Sequence, residues 1–227
     1  MTYPDAYLNH YAEIEGTKMK IEIDNNTLAA MKLFAATKDV RYYLNGLLLE
    51  IGRHESRLVG TNGHMMAALR IECDQPPIRE PVRVILPNDG LTHVKKKGTV
   101  TVSVGSPALQ DSSACAIAVE CGGVSWSGLS IDGRYPDWRR IVPASASGDT
   151  AQFDPHYMTL FQDAAALLAR GKTPMATFAH NGNSPAIVDV GDENFIGVLM
   201  PWRAEPVSTA PAWASCDVNV PSVQVAA

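Results

Sequence analysis

Few side chains in this sequence stand at the spacings that catalysis requires. Its six histidines are scattered, with no H-E-x-x-H pair to set two imidazoles on one helix face around zinc. There is no phosphate-cradling G-x-x-x-x-G-K-[ST] loop, and no G-x-G-x-x-G turn opens a helix after a strand. Gly123-Val124-Ser125-Trp126-Ser127 approaches a nucleophile elbow but lacks its second glycine, and the alternation of Val124 and Trp126 with serines suits a half-buried strand. A hydrolase using Ser125 and His64 is thus a remote alternative. Asp189, Asp192 and Glu193 surround Gly191, which fits a solvated hairpin turn better than a metal loop. No catalytic residue, metal or cofactor is expected. Positive charge is the more suggestive feature: Lys95, Lys96 and Lys97 are consecutive, Arg170 and Lys172 lie close together, and Lys32 stands earlier. Cations near helix ends are explained equally well by the macrodipole and by contact with phosphates that positions without reading sequence.

Composition narrows the setting. The chain has 227 residues, 46% of them hydrophobic, and a formal net charge of −5. That length supports one large domain or two small ones. The acidic balance argues against binding DNA over the whole surface but leaves room for a local basic face. No apolar run reaches the roughly 20 residues a membrane helix needs, and the first residues, MTYPDAYLNHYAEIEG, are too acidic for a signal peptide. Cys73, Cys115, Cys121 and Cys216 show no C-x-x-C or zinc spacing, so reduced thiols in a cytoplasmic protein are expected.

The elements that would position these side chains repeat. Residues 1–17 read as an appended arm. Lys18–Ile23 alternates like a strand, and Asp24, Asn25 and Asn26 offer an N-cap for a helix over Thr27–Thr37. Strands follow at Tyr42–Ile51, Ser56–Thr61 and His64–Glu72, with Asn62-Gly63 turning between the last two. The order recurs with a strand at Val82–Leu86, a helix at Asn88–Lys97 and strands at Thr99–Val104, Ala114–Glu120 and Val124–Gly128. It recurs again with a strand at Thr150–Phe153, a helix from Asp154-Pro155 to about Ala169, and strands at Met175–His180, Pro185–Val190 and Phe195–Trp202. Three β-α-β-β-β units are therefore expected: 18–75 and 81–130 forming one domain, and 144–203 forming half of another. Residues 131–143 connect them, and residues 204–227 read as a flexible tail.

The connector, I-D-G-R-Y-P-D-W-R-R-I-V-P at Ile131–Pro143, carries two aromatics and three arginines, too many anchors for a tether. It closely resembles the D-G-R-[FY]-P-D-[YW]-R-R-[VI]-[IL]-P connector of the bacterial β sliding clamp family, the processivity subunit of the replicative polymerase. Three further stretches are similar to that family: D-V-R-Y-Y-L-N-G-L-L-L-E at Asp39–Glu50, L-V-G-T-N-G-H-M-M-A-A at Leu58–Ala68, and V-L-M-P-W-R at Val198–Arg203.

The resemblance implies an α+β DNA-clamp fold, with sheets outside and helices lining a central channel. It implies a non-enzymatic DNA replication factor, a homo-oligomeric ring that encircles duplex DNA non-specifically and binds polymerase and clamp loader through short linear motifs. Carried over residue by residue, the peptide cleft would comprise Leu44, Thr61, Gly63, His64, Met65 and Met66, with Pro136, Ile141, Val198, Met200 and Arg203. Met65 stands where the family has arginine. Lys32, Lys95, Lys96, Lys97, Arg170 and Lys172 would face DNA. The family's chains hold six units and its rings twelve, so three units per chain imply a homotetramer. The alternative is a clamp-like adaptor or decoy that binds such motifs without encircling DNA.

Overall fold

The computed structural model describes residues 19–76, 80–92, 98–107, 114–169, 173–203 and 209–215. Strand β1 (Met19–Asp24) alternates as expected, burying Ile21 and Ile23. Asp24 then caps helix α1 (Asn25–Lys32), its carboxylate accepting from the backbone N–H groups of Asn26 and Thr27 at 2.9 and 3.4 Å. The helix is shorter than the spacing predicted: Leu33 and Phe34 bond back in a closing turn, and Phe34 drops into the core.

Strands β2 (Gly46–Ile51), β3 (Glu55–Thr61) and β4 (Met65–Glu72) follow. The strand expected from Tyr42 begins instead with one turn of 3-10 helix at Tyr42–Leu44. Asn45 is the cause. Its amide accepts from the Asp39 N–H and donates to the Asp39 carbonyl, both at 2.9 Å, folding the chain back before β2 starts. The second unit comprises β5 (Val82–Pro87), α2 (Asn88–Thr92), β6 (Thr99–Pro107), β7 (Cys115–Cys121) and β8 (Val124–Leu129). The third comprises α3 (Pro155–Leu168), β9 (Thr177–Ala179), β10 (Ala186–Asp189) and β11 (Phe195–Leu199). Its expected first strand, Thr150–Phe153, is reduced to a single bridge between Gln152 and Trp202.

Ser125 lies in β8 as the alternation predicted. Asp189 and Asp192 accept backbone N–H groups of Gly191 and Asn194, at 2.7 and 2.9 Å, as turn residues do. The N-terminal arm and most of the tail lie outside the described residues; Trp213, in a short 3-10 turn, is exposed. Cys73 is half-buried, and Cys115 and Cys121 are buried.

Among the described residues the strands form two antiparallel sheets, one of four in the order β1-β6-β7-β8 and one of seven in the order β5-β2-β3-β4-β11-β10-β9. The first two units exchange their leading strands, β1 lying beside β6 and β5 beside β2. The third unit extends the larger sheet through β4 and β11, with Met66 facing Val198 and Ala68 facing Ile196. Helices α1 and α3 pack beneath this junction. There Phe34 and Phe161 lie 4.8 Å apart and Phe195 tilts against both. Gly197 permits this contact, since a Cβ there would sit 2.4 Å from Phe161 Cε1. A second, smaller core of Leu48, Val59, Met66, Ala68, Trp138 and Val198 forms under the connector.

Candidate functional site

The connector is held to the seven-stranded sheet along its length. Ile131 N donates to the Ile85 carbonyl at 2.9 Å, and Gly133 lies so close to Tyr42 and Tyr43 that a Cβ would come within 3.1 Å. Tyr135 reaches the Val59 carbonyl at 3.4 Å, and burial raises its phenol pKa above the ordinary value. Trp138 is buried in the smaller core. Beside it Arg139 donates twice to Glu50, at 3.1 and 2.6 Å, and stacks over the indole at 4.4 Å. Arg83 approaches the same carboxylate at 3.0 Å. The Glu50 side chain is only 7% exposed. Burial alone would raise its pKa, but the Arg139 bonds and the charges of Arg139 and Arg83 outweigh it and hold the carboxyl below its usual range.

The turn joining β3 to β4 lies at the other end of β3 from the Glu50–Arg139 pair. Asn62 Oδ1 accepts from the N–H groups of His64 and Met65 at 2.9 and 3.1 Å. Thr61 Oγ1 donates to the Met65 carbonyl at 2.7 Å and accepts from Gly63 N at 3.1 Å. Gly63 takes φ +90°, which a side chain rarely adopts, and a Cβ there would also meet Arg41 Nη1 at 2.9 Å. Arg41 spans from Asp39 to the Asn62 carbonyl, the latter at 3.2 Å. Its hydrogen bonds hold the Asp39 carboxyl down at about 2. Past β11, Met200 N donates to the His64 carbonyl at 2.9 Å, and the His64 ring stacks on Tyr157 of α3 with centroids 5.5 Å apart.

The candidate cleft residues divide by depth. Met66 and Val198 face each other across the β4–β11 seam and are fully covered by the smaller core. Met65 points to the opposite side of the sheet, into the main core, because neighbours along a strand alternate. Leu44 and Thr61 are buried as well. Gly63, His64, Pro136 and Arg203 are exposed, as are Ile141 at 40% and Met200 at 42%. The groups available at the surface are thus the turn, the connector and the segment after β11, over a floor that is already packed. Of the candidate DNA-facing residues, Lys32 donates through Nζ to the Leu91 carbonyl at 2.9 Å, tying α1 to α2. Lys95, Lys96, Lys97, Arg170 and Lys172 lie outside the described residues. Sequence reasoning missed Arg41, Tyr135 and Tyr157. Tyr135 stood in the connector as an anchoring aromatic, whereas the Arg41–Asn62 and Tyr157–His64 contacts join segments far apart in the chain and left no local signal.

No helix among the described residues is long and apolar enough to cross a membrane. Comparison with known proteins bears on the rest. The chain is 29% identical over 137 residues to the beta sliding clamp of Pseudomonas putida strain KT2440, covering 57% of this chain and 33% of that protein. It is 30% identical over 121 residues to the beta sliding clamp of Escherichia coli strain K12, covering 51% and 30%. It thus spans about a third of the curated relatives it matches. Among solved structures, a DNA polymerase sliding clamp from Pseudomonas aeruginosa with ligand aligns with TM-score 0.60 at 20% identity, covering 82% of this chain and 67% of that one. The DNA polymerase III beta subunit of Thermotoga maritima aligns with TM-score 0.59 at 15% identity, covering 84% and 66%. These likenesses establish the fold and reach beyond the first two units. The family model for the central domain of the DNA polymerase III beta subunit matches residues 15–137, more than half of the chain. The exchanged leading strands and the anchored connector fall within or at the border of that match, and the chain belongs to the DNA polymerase III beta subunit family.

Proposed function

We propose that this chain is a sliding-clamp processivity factor that tethers DNA polymerase and other partners to duplex DNA by a peptide groove at the β4–β11 seam. The observation that carries the reading is the seam itself. One continuous sheet joins two units, the connector is clamped across it by Arg139 and Glu50, and exposed Met200 and His64 meet at the end of the seam, where Met200 N donates to the His64 carbonyl. Methionine adapts to varied apolar ligands. An extended peptide placing two Leu- or Phe-sized anchors there gains roughly 1.5–3 kcal/mol for each, consistent with micromolar binding of about −8 kcal/mol once main-chain contacts are counted. The groove acts by binding alone, with no bond-making chemistry.

Fluorescence titration with a labelled Q-L-x-L-F-type peptide tests the groove. Met200→Asp introduces a charge at an exposed site and is expected to weaken binding at least tenfold while circular dichroism stays unchanged. Equal affinities in the two proteins would remove the groove from this surface.

Encirclement of DNA, with Lys95–Lys97, Arg170, Lys172 and Lys32 toward the channel and four chains supplying twelve units, is part of the same proposal. The adaptor reading stays in view because the chain spans a third of the length of the curated clamps. Light scattering separates the two: a ring requires a species near four times the 24.5 kDa chain, and a monomer in the presence of DNA is the adaptor.

A further inference from the structure

In the first two units each sheet is completed by a strand from the other. β1 lies along β6 from Met19↔Val104 to Asp24↔Thr99, and β5 lies along β2 from Gly46↔Pro87 to Ile51↔Val82. Both caps keep one register. The residue just before the helix, Asp24 or Pro87, faces the first residue of the capped strand, Thr99 or Gly46. The third unit repeats the order of elements without its cap. Among the described residues β9 ends the seven-stranded sheet. Residues 150–153 stand before α3 as β1 stands before α1, yet among the described residues their strand pairing is limited to the Gln152–Trp202 bridge, with Phe153 packed on Phe178 and His180 of its own chain.

Burial follows the same division. Val100, Val102 and Val104 of β6 are fully buried, as is all of β2. Phe178, at the centre of β9, is only half-buried, as are Leu160 and Leu167 on one stripe of α3. Met175, just ahead of β9, is 62% exposed. An uncapped edge beside half-covered apolar groups is an open pairing site.

We propose that a second copy of this chain fills the place. Residues 150–153 of each copy add to β9 of the other in the register of the internal caps, so that Asp154 faces Thr177, Phe153 faces Phe178 and Gln152 faces Ala179 of the second copy. Each copy gives one strand and receives one, making the contact two-fold and self-complementary. The segment first releases the Gln152–Trp202 bridge, the 3.1 Å bond from Ala151 N to His180 Nδ1 and the packing of buried Phe153 on Phe178 and His180 of its own chain, and the exchange remakes the Phe153–Phe178 contact between copies. The pairing supplies self-association to the ring reading but stands on the strand order alone. It makes ring contacts like-to-like: half-domain meets half-domain at one end. At the other, β8 remains as an outer edge in the position that β4 occupies before β11.

Two proteins, each adding one cysteine to the native four, test the register, one carrying Gln152→Cys and the other Ala179→Cys, each alone and mixed under mild oxidation, with the wild type as background. Directly opposite cross-strand positions lie within disulfide reach. The expected result is a covalent dimer in the mixture at several times the yield of either protein alone. Equal yields in all three samples would overturn the exchange, and so would a wild-type chain that stays monomeric by light scattering at tens of micromolar. If cysteine perturbs the segment, hydrogen exchange on the wild-type chain decides instead. Protection of the β9 amides should rise with protein concentration, and protection that ignores concentration means that the chain's own residues cover the edge. Peptide titration of the same samples keeps the two proposals apart, because the groove lies within one chain. Intact peptide binding without cross-linking removes only the exchange, and cross-linking without peptide binding removes only the groove.

Discussion

Replacing Arg139 by alanine should loosen the connector by an amount the geometry allows us to estimate. The guanidinium donates two bonds to Glu50 at 3.1 and 2.6 Å and is 41% exposed. Hydrogen bonds to charged groups contribute about 1.5–3 kcal/mol each when buried, and solvent screening reduces these to about 0.5–1 kcal/mol each here. The cation over Trp138 adds about 0.5 kcal/mol. Arg83 remains at 3.0 Å, so Glu50 keeps a partner and escapes the roughly 3–5 kcal/mol penalty of an abandoned buried charge. The total loss is about 2 kcal/mol, or about 4–8 °C in Tm for a chain of this size. Acid should erase the difference. Glu50 titrates in the folded state below its ordinary value of 4.5, so its pairing stabilises above that value and is lost as pH falls through the folded pKa. The Tm gap between wild type and Arg139→Ala, measured by circular dichroism, should therefore hold from neutrality to about pH 5 and shrink below about pH 4. A gap under 1 °C at pH 7, or one that widens in acid, would refute the assignment of Arg139 as the connector's anchor.

Other substitutions probe neighbouring features. Gly197→Ala should cost about 2–4 kcal/mol through overpacking against Phe161, with urea midpoints as the readout. Asp154→Ala removes the side-chain bond to His156 N at 2.8 Å that caps α3 and should cost about 1 kcal/mol. Gly63→Ala strains a φ of +90° and crowds Arg41, so peptide affinity should fall along with stability. Changing Lys95, Lys96 and Lys97 together to Glu should weaken retention on circular duplex. It should also flatten the salt dependence by up to about 0.9 log units per lost phosphate contact, and unchanged retention at every salt concentration would leave those lysines out of the DNA surface.

The order of elements was legible in the chain because it rests on local rules. Alternation marked β1 and β8, Asp24 and Asp154 announced their helices, and Asn62-Gly63 marked a turn that takes positive φ at Gly63. The connector too could be recognised, since its aromatics and arginines are contiguous. Partnership was not legible. Nothing local tells β1 to leave its own unit for β6, or tells β11 to join β4, because strand pairing is settled by which edges and apolar faces remain uncovered once the whole chain collapses. The same holds within the candidate cleft. Met65 and Met66 are chemically identical neighbours, and only the pleat of β4 sends one into the main core and the other beneath the connector. Glu50 offers the sharpest case: in sequence it is one carboxylate ending an apolar run, and it becomes the connector's anchor because folding brings Arg83 and Arg139 to it from two distant segments.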